Sequence, residues 1–165
     1  MKDRVLETVR IEKDHALLRV KAMPKRLLLE LSGRDGRSNR HRFELNGFSD
    51  IASFIYALNL ASWNILPRVV QWYDPVNRTF AAVFFRGEDY GDGNLKWRIY
   101  LRIGRERANN LSDADDSQRT RVRLTREEVF RLILLGCMAI GVTPPFYPLV
   151  PQGTPEHLPH QQRRL

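Results

Sequence analysis

Cysteine is almost missing from this 165-residue chain, where Cys137 stands alone in an apolar run. No intramolecular disulfide and no zinc site built on several cysteines can form within one chain, and a lone thiol suits a reducing compartment. Long apolar runs are missing too. Met1-Lys2-Asp3-Arg4-Val5 lacks the apolar core of a secretion signal, and the longest apolar stretch, broken by Gly136, is far shorter than the roughly 18 residues of a membrane span. A soluble cytoplasmic protein is the expectation. There is no Gly-x-x-x-x-Gly-Lys loop, no Gly-x-Ser-x-Gly elbow and no Gly-x-Gly-x-x-Gly turn. Of the histidines, His15, His41, His157 and His160, only the last two have ligand-like spacing, and they lie in a proline-rich tail where solvation is the simpler reading. Neither a metal nor a cofactor is expected.

Lysine is scarce in a chain that is otherwise strongly cationic. Lys2, Lys13, Lys21, Lys25 and Lys96 are the full set, so 22 of the 27 cationic side chains are arginine, against 19 acids and a net charge of +8. Such a balance points to a polyanionic partner, and the arginine bias suits phosphate forks and ring stacking, although a GC-rich genome would produce the same bias. The apolar share of 42%, with three Trp, five Tyr and eight Phe, is enough to bury one core. The length fits a single domain, here residues 1–142, followed by a proline-rich segment, 143–165, that holds six of the nine prolines and reads as a flexible tail.

The order of elements is strands, helix, strands, helix, dividing near Pro67, and predicts an α+β fold. It would be a curved antiparallel sheet with two main helices and a duplication of element order without residue-by-residue repetition. Val5–Ile11 and Ala16–Val20 suggest a hairpin, with a helix as the competing reading. Leu27–Leu31 and Arg40–Leu45 flank an Asp35-Gly36 turn signal. Ser49 or Asp50 then caps a helix carrying Ile51, Phe54, Ile55 and Leu58. In the second half, Arg68–Tyr73 and Arg78–Arg86 form a hairpin about Pro75-Val76, and Leu95–Ile103 alternates as a strand. Thr120–Leu124 alternates again before a capping box, Thr125 with Glu128, opens a helix to Ile140.

Period-two alternation divides these later strands into two faces. Val70, Trp72, Thr79, Ala81, Val83, Phe85, Leu95, Trp97, Ile99 and Leu101 form one set, apolar but for Thr79. The other set is Gln71, Tyr73, Arg78, Phe80, Phe84, Arg86, Lys96, Arg98, Tyr100 and Arg102, where rings alternate with cations. Bases of a single strand stack on rings for about 1–3 kcal/mol each while their phosphates need cations, so this second face is the candidate binding surface. The bland alternative places Phe80 and Phe84 under a helix and leaves the arginines as a wet rim; a slip of one residue would exchange the faces and expose Trp72, Phe85 and Trp97. Arg34, Arg37, Arg40 and Arg42, the pair Arg105 and Arg107, and the group Arg119, Arg121 and Arg123 could extend a phosphate track.

This basic, aromatic-laced sheet from Gln71 to Arg102, with the helical segment from Thr125, resembles the ThermoDBP group of archaeal single-strand-binding proteins over roughly residues 27 to 141. The resemblance implies an aromatic cleft lined with basic residues, here Tyr73, Phe80, Phe84 and Tyr100 with their cations. Some members of that group dimerise through a long carboxyl-terminal zipper, which this chain replaces with Pro144–Leu165. The element order also looks like Whirly or PUR-type domains, which bind single strands as well.

The expected function is therefore binding of single-stranded DNA or RNA with little sequence preference, by a protein that is not an enzyme. A carboxylate-metal nuclease using Glu88, Asp89 and Asp92, and an interaction subunit for an acidic partner, are the alternatives. The last helix is apolar on nearly every side and needs a second neighbour. Either the first helix or another chain supplies it. A homodimer through residues 126–140 is the preferred expectation, in which Leu135→Glu would leave a folded monomer.

Overall fold

The computed structural model describes residues 4–64, 69–89, 91, 93, 95–105 and 121–143. Four strands, β1 (Glu7–Glu12), β2 (Leu17–Met23), β3 (Arg26–Ser32) and β4 (His41–Asn46), lead into helix α1 (Gly47–Ser62). Four more, β5 (Val70–Asp74), β6 (Thr79–Asp89), β7 (Leu95–Arg105) and β8 (Arg121–Leu124), lead into α2 (Arg126–Ile140). Each set forms its own antiparallel sheet in sequential order, so the α+β class and the repeated strands-then-helix order hold, with the strands shared between two sheets.

In the first sheet Val9, Val20, Leu29 and Phe43 stand in one cross-strand row and Ile11, Leu18 and Leu31 in the next, all pointing to the same side. They are buried there. The hairpin reading of the amino-terminal region therefore prevails over the helical one, because only a period of two puts these residues on one face. What covers that face comes from the far end of the chain. Helix α2 packs across β1, β2 and β3 and against α1. It is tied at both ends: Lys13 Nζ reaches Glu128 Oε1 at 2.7 Å near its start, and the Lys25 backbone N–H donates to Ala139 O at 2.7 Å near its end. The capping box forms as read from the sequence, with Glu128 N–H donating to Thr125 Oγ1 and Thr125 N–H to Glu128 Oε1.

Helix α1 begins earlier than the sequence suggests. Gly47 turns the chain out of β4 at φ 86°, a left-handed conformation that glycine adopts without strain, and the cap position falls to Asn46, whose side chain makes no capping bond. The two helices approach closely at Gly136, where an added Cβ would lie 2.7 Å from Ile55 Cγ1. α1 also meets β3, β4 and β6, so one continuous core runs from both sheets through both helices.

The nearly all-round apolar character of α2 thus has its explanation inside the chain. Val129, Leu132, Ile133, Leu135, Cys137 and Ala139 are buried against α1 and the first sheet, while Phe130 and Met138 point outward, with Leu134 half-buried between them. Burial pushes the Cys137 thiol pKa up, consistent with an inert core position. No helix among the described residues is long and apolar enough to cross a membrane. The acidic segment Ser112–Ser117, Arg107, Arg119 and the proline-rich segment from Pro144 lie outside the described residues.

Leu135 is only 2% exposed in its own chain, so Leu135→Glu places a carboxylate in the core and should unfold the protein instead of releasing a folded monomer. Circular dichroism checks this directly: a Leu135→Glu variant with wild-type ellipticity and melting temperature would contradict the packing described.

Candidate nucleic-acid interface

The β5–β6 turn is longer than the sequence suggests. Asp74 pairs with Thr79 and Tyr73 with Phe80, leaving Pro75, Val76, Asn77 and Arg78 as the loop. Asp74 organises it, accepting from Val76 N–H at 3.0 Å, Asn77 N–H at 3.4 Å and Asn77 Nδ2 at 2.7 Å. The Asn77 side-chain bond, aided by the two backbone N–H donors, holds the Asp74 carboxyl below its usual pKa of 3.8 against the opposing effect of desolvation. Pairing moves by two residues relative to a two-residue turn, and a shift of two preserves which side chains share a face. Arg78 is the exception: it sits in the loop with φ 57°, off the sheet face where the shorter turn would have put it.

On the outer face of the second sheet the rows run Tyr73, Phe80, Gly104; then Gln71, Ala82, Arg102, Arg121; then Phe84, Tyr100, Arg123; then Arg86, Arg98; and finally Lys96. The site residues read from the sequence, Arg78 apart, are therefore brought together, and Arg121 and Arg123 join them through β8. Phe84 stacks on Tyr100 with centroids 5.3 Å apart and planes at 15°. Arg121 lies over Tyr100 at 5.1 Å, and Arg102 over Phe80 at 5.5 Å, both within cation–π range. Small neighbours make room: Ala82 and Gly104 stand directly across from Arg102 and Phe80.

Burial on this face differs from the simple expectation of exposed rings. Phe80 and Tyr100 are buried at 3% and 7% exposure, yet neither belongs to the continuous core. Tyr73, Arg86, Lys96 and Arg123 are exposed, and Phe84 is half-buried. Replacing Tyr100 would therefore cost stability as well as any ligand contact. Trp97 departs in the other sense. Alternation assigns it to the core face, and that is the face it occupies, but it is 47% exposed because its position lies beyond the reach of β5 and β8.

The outer face of the first sheet is also basic, but it is furnished differently. Arg10, Arg19, Glu30 and Arg42 form one cross-strand row. The Glu30 carboxylate receives Arg40 at 2.6 Å, Arg19 at 3.4 Å and Arg42 at 3.7 Å, while Arg26 pairs with Glu44. Burial would raise the Glu30 pKa, but the Arg40 hydrogen bond and the charges of Arg40, Arg19 and Arg42 outweigh it and hold the group below its usual 4.5. A groove of about 870 Å³ lies beside this cluster, lined by Arg40, Arg42, Glu44, Asp74, Asn77 and Arg105 among others. The sequence reading named Arg40 and Arg42 but missed Glu30, whose only signal was an acid at a strand position facing alternate arginines.

Among the described residues no group of three or more His, Cys, Asp or Glu gathers in one place. Asp92 and the side chains of Glu88 and Asp89 lie outside the described residues, so the acids of the nuclease alternative have no described geometry. Compared with protein-family models and with curated proteins, the chain matches none.

Because the folded pKa of Glu30 is depressed, its charge stabilises the fold above pH 4.5 and that contribution is lost as pH falls through the folded value. Glu30→Gln should cost about 1.5–3 kcal/mol at neutral pH, with the gap to wild type narrowing below pH 4.5. Urea denaturation across an acid pH series measures it; a gap independent of pH would remove the charge from the account.

Proposed function

We propose that this protein binds single-stranded nucleic acid, DNA or RNA, with little sequence preference, on the outer face of β5–β8. The observation that carries the reading is the company kept by the cations. On the first sheet the central arginines converge on Glu30 and Glu44. On the second, Arg102 lies over Phe80 and Arg121 over Tyr100, and Arg86 and Arg98 stand in the row next to the Phe84–Tyr100 stack, so the cations lie among aromatic rings. A sheet face that sets guanidinium groups over and beside aromatic rings offers a single strand both phosphate contacts and surfaces for its bases.

Arginine suits the task because its planar guanidinium can rest on a ring while its edge N–H donors remain available to phosphate. Bases would stack on Tyr73, on the Phe84 edge of the ring pair, and on the guanidinium groups that lie over Phe80 and Tyr100. Stacking of this kind tolerates any base, hence the weak sequence preference. The likeness to ThermoDBP-type proteins supports the same reading. No catalytic group or cofactor is required by it.

Titrating labelled oligo-dT, oligo-rU and duplex of equal length over a salt series tests the proposal. Single strands should bind more tightly than duplex, with log affinity falling by roughly 0.7 per phosphate contact. Tyr73→Ala should lose about 1–3 kcal/mol of binding at an unchanged slope, and Arg86→Ala should lower the slope by about one contact. Equal affinity for duplex would reduce the face to a plain cationic surface.

Dimer formation belongs to the same proposal, now through the outward stripe of α2 instead of its buried side. Phe130, Leu134 and Met138 recur at intervals of four and form an apolar strip, with Phe130 and Met138 exposed at 40% and 45%. Light scattering should give twice the chain mass for wild type and the single mass for a folded Phe130→Glu, Met138→Glu double variant. A wild-type monomer would leave the stripe without this role.

A further inference from the structure

The β6–β7 hairpin runs on past both of its neighbours. Pairing with β5 stops at Val70–Val83 and pairing with β8 stops at Ile99–Leu124, so residues 84–89 and 95–98 form a two-stranded arm. The side of this arm that shares the core face carries Phe85, Gly87 and Trp97. Phe85 and Trp97 stack with centroids 5.1 Å apart and planes at 15°. Gly87 stands directly opposite Trp97, and a Cβ there would meet the indole at 3.2 Å. The indole is thus seated where a side chain is missing and backed by a parallel ring, yet it is 47% exposed. A tryptophan backed by a parallel ring, with nearly half of the residue in water, leaves aromatic surface that the core does not use.

We infer that Trp97, supported by Phe85 and Gly87, is a second stacking site for an unpaired nucleobase. It lies on the side of the arm opposite Phe84, Arg86 and Arg98, so that a bound strand passes around the arm and is gripped on both of its faces. The inference rests on the single-strand reading proposed above. Charge selects a nucleic acid as occupant: Arg86 and Arg98 flank Gly87 and Trp97 in sequence and stand opposite each other, placing cations one residue from the platform on either strand. A base on the indole would carry its phosphates to the edges of a ribbon whose strands are only about 4.8 Å apart, within reach of those side chains. Stacking on an exposed indole needs no base-specific hydrogen bond, in keeping with weak sequence preference.

The test uses the full-length protein and labelled oligo-dT. Trp97→Leu should weaken binding about tenfold with the salt slope unchanged, since a base contact is lost and a phosphate contact is not, whereas Trp97→Phe should restore most of the affinity. In wild-type protein, oligo-dT should protect Trp97 from oxidation by N-bromosuccinimide, read residue by residue by mass spectrometry, which keeps the inference testable if the leucine variant folds poorly. If Trp97→Leu binds like wild type while Tyr73→Ala does not, and Trp97 is not protected, the platform is not a binding site although the outer face is. A wild-type protein that binds no single strand overturns the underlying reading itself. A change of mass in light scattering for Trp97→Leu without loss of oligo-dT affinity would make the ring pair a contact between copies and overturn the inference.

Discussion

The fold depends on the need to cover the apolar face of β1–β4 with a helix that the chain makes only at its other end. Val9, Val20, Leu29 and Phe43 and the rows beside them form a face that water would otherwise wet, and burial of apolar surface is the dominant favourable contribution to folding. Helix α2 supplies the cover, so the first sheet cannot be complete before the second half of the chain has arrived. The contacts at its ends, Lys13 with Glu128 and Lys25 N–H with Ala139 O, fix where the helix lies, and Gly136 lets α1 come close enough to close the core. Two halves with the same order of elements therefore share one core, and each sheet is left with an outer face that takes little part in it.

Those two outer faces solve the problem of a high arginine content in different ways. On the first sheet a carboxylate only 10% exposed gathers three guanidinium groups, which is a structural use of charge: the Arg40 hydrogen bond and the charges of Arg40, Arg19 and Arg42 outweigh the desolvation of Glu30. On the second sheet the compensating groups for Arg102 and Arg121 include the π faces of Phe80 and Tyr100. A ring neutralises no charge. It stabilises the guanidinium in place through its quadrupole, so the two sheets use different chemistry to hold part of their arginine content.

Much of this was legible because period-two alternation is insensitive to some errors. Misjudging the β5–β6 turn by two residues changed every pairing between those strands and left the face assignments of Gln71, Tyr73, Phe80, Phe84 and Arg86 intact; only Arg78, which the longer loop absorbed, left the face. The capping box of α2 was readable because both partners are local, whereas the start of α1 was not, since it depends on Gly47 donating to Lys25 O across a distant turn. Burial was the least legible quantity. Alternation tells which way a side chain points but not how far the neighbouring strands extend, so Trp97 read as core and Tyr100 as exposed, and both differ in the folded chain.

Why Phe80 and Tyr100 are buried outside the core bears on how a ligand would meet this face. Under the single-strand reading proposed above, a guanidinium held over a ring has given up part of its hydration during folding, so less of that cost would remain when a base meets it. No ring need be uncovered first, and less side-chain entropy remains to be lost on binding than for a flexible lysine in the same position. On this face Lys96 stands among five arginines, Arg86, Arg98, Arg102, Arg121 and Arg123, close to the proportion of the whole chain, so composition alone does not separate stacking from charge and exchange of the residues would. A surface selected only for net charge would tolerate exchange of these arginines for lysine, whereas one that stacks through its guanidinium planes would not.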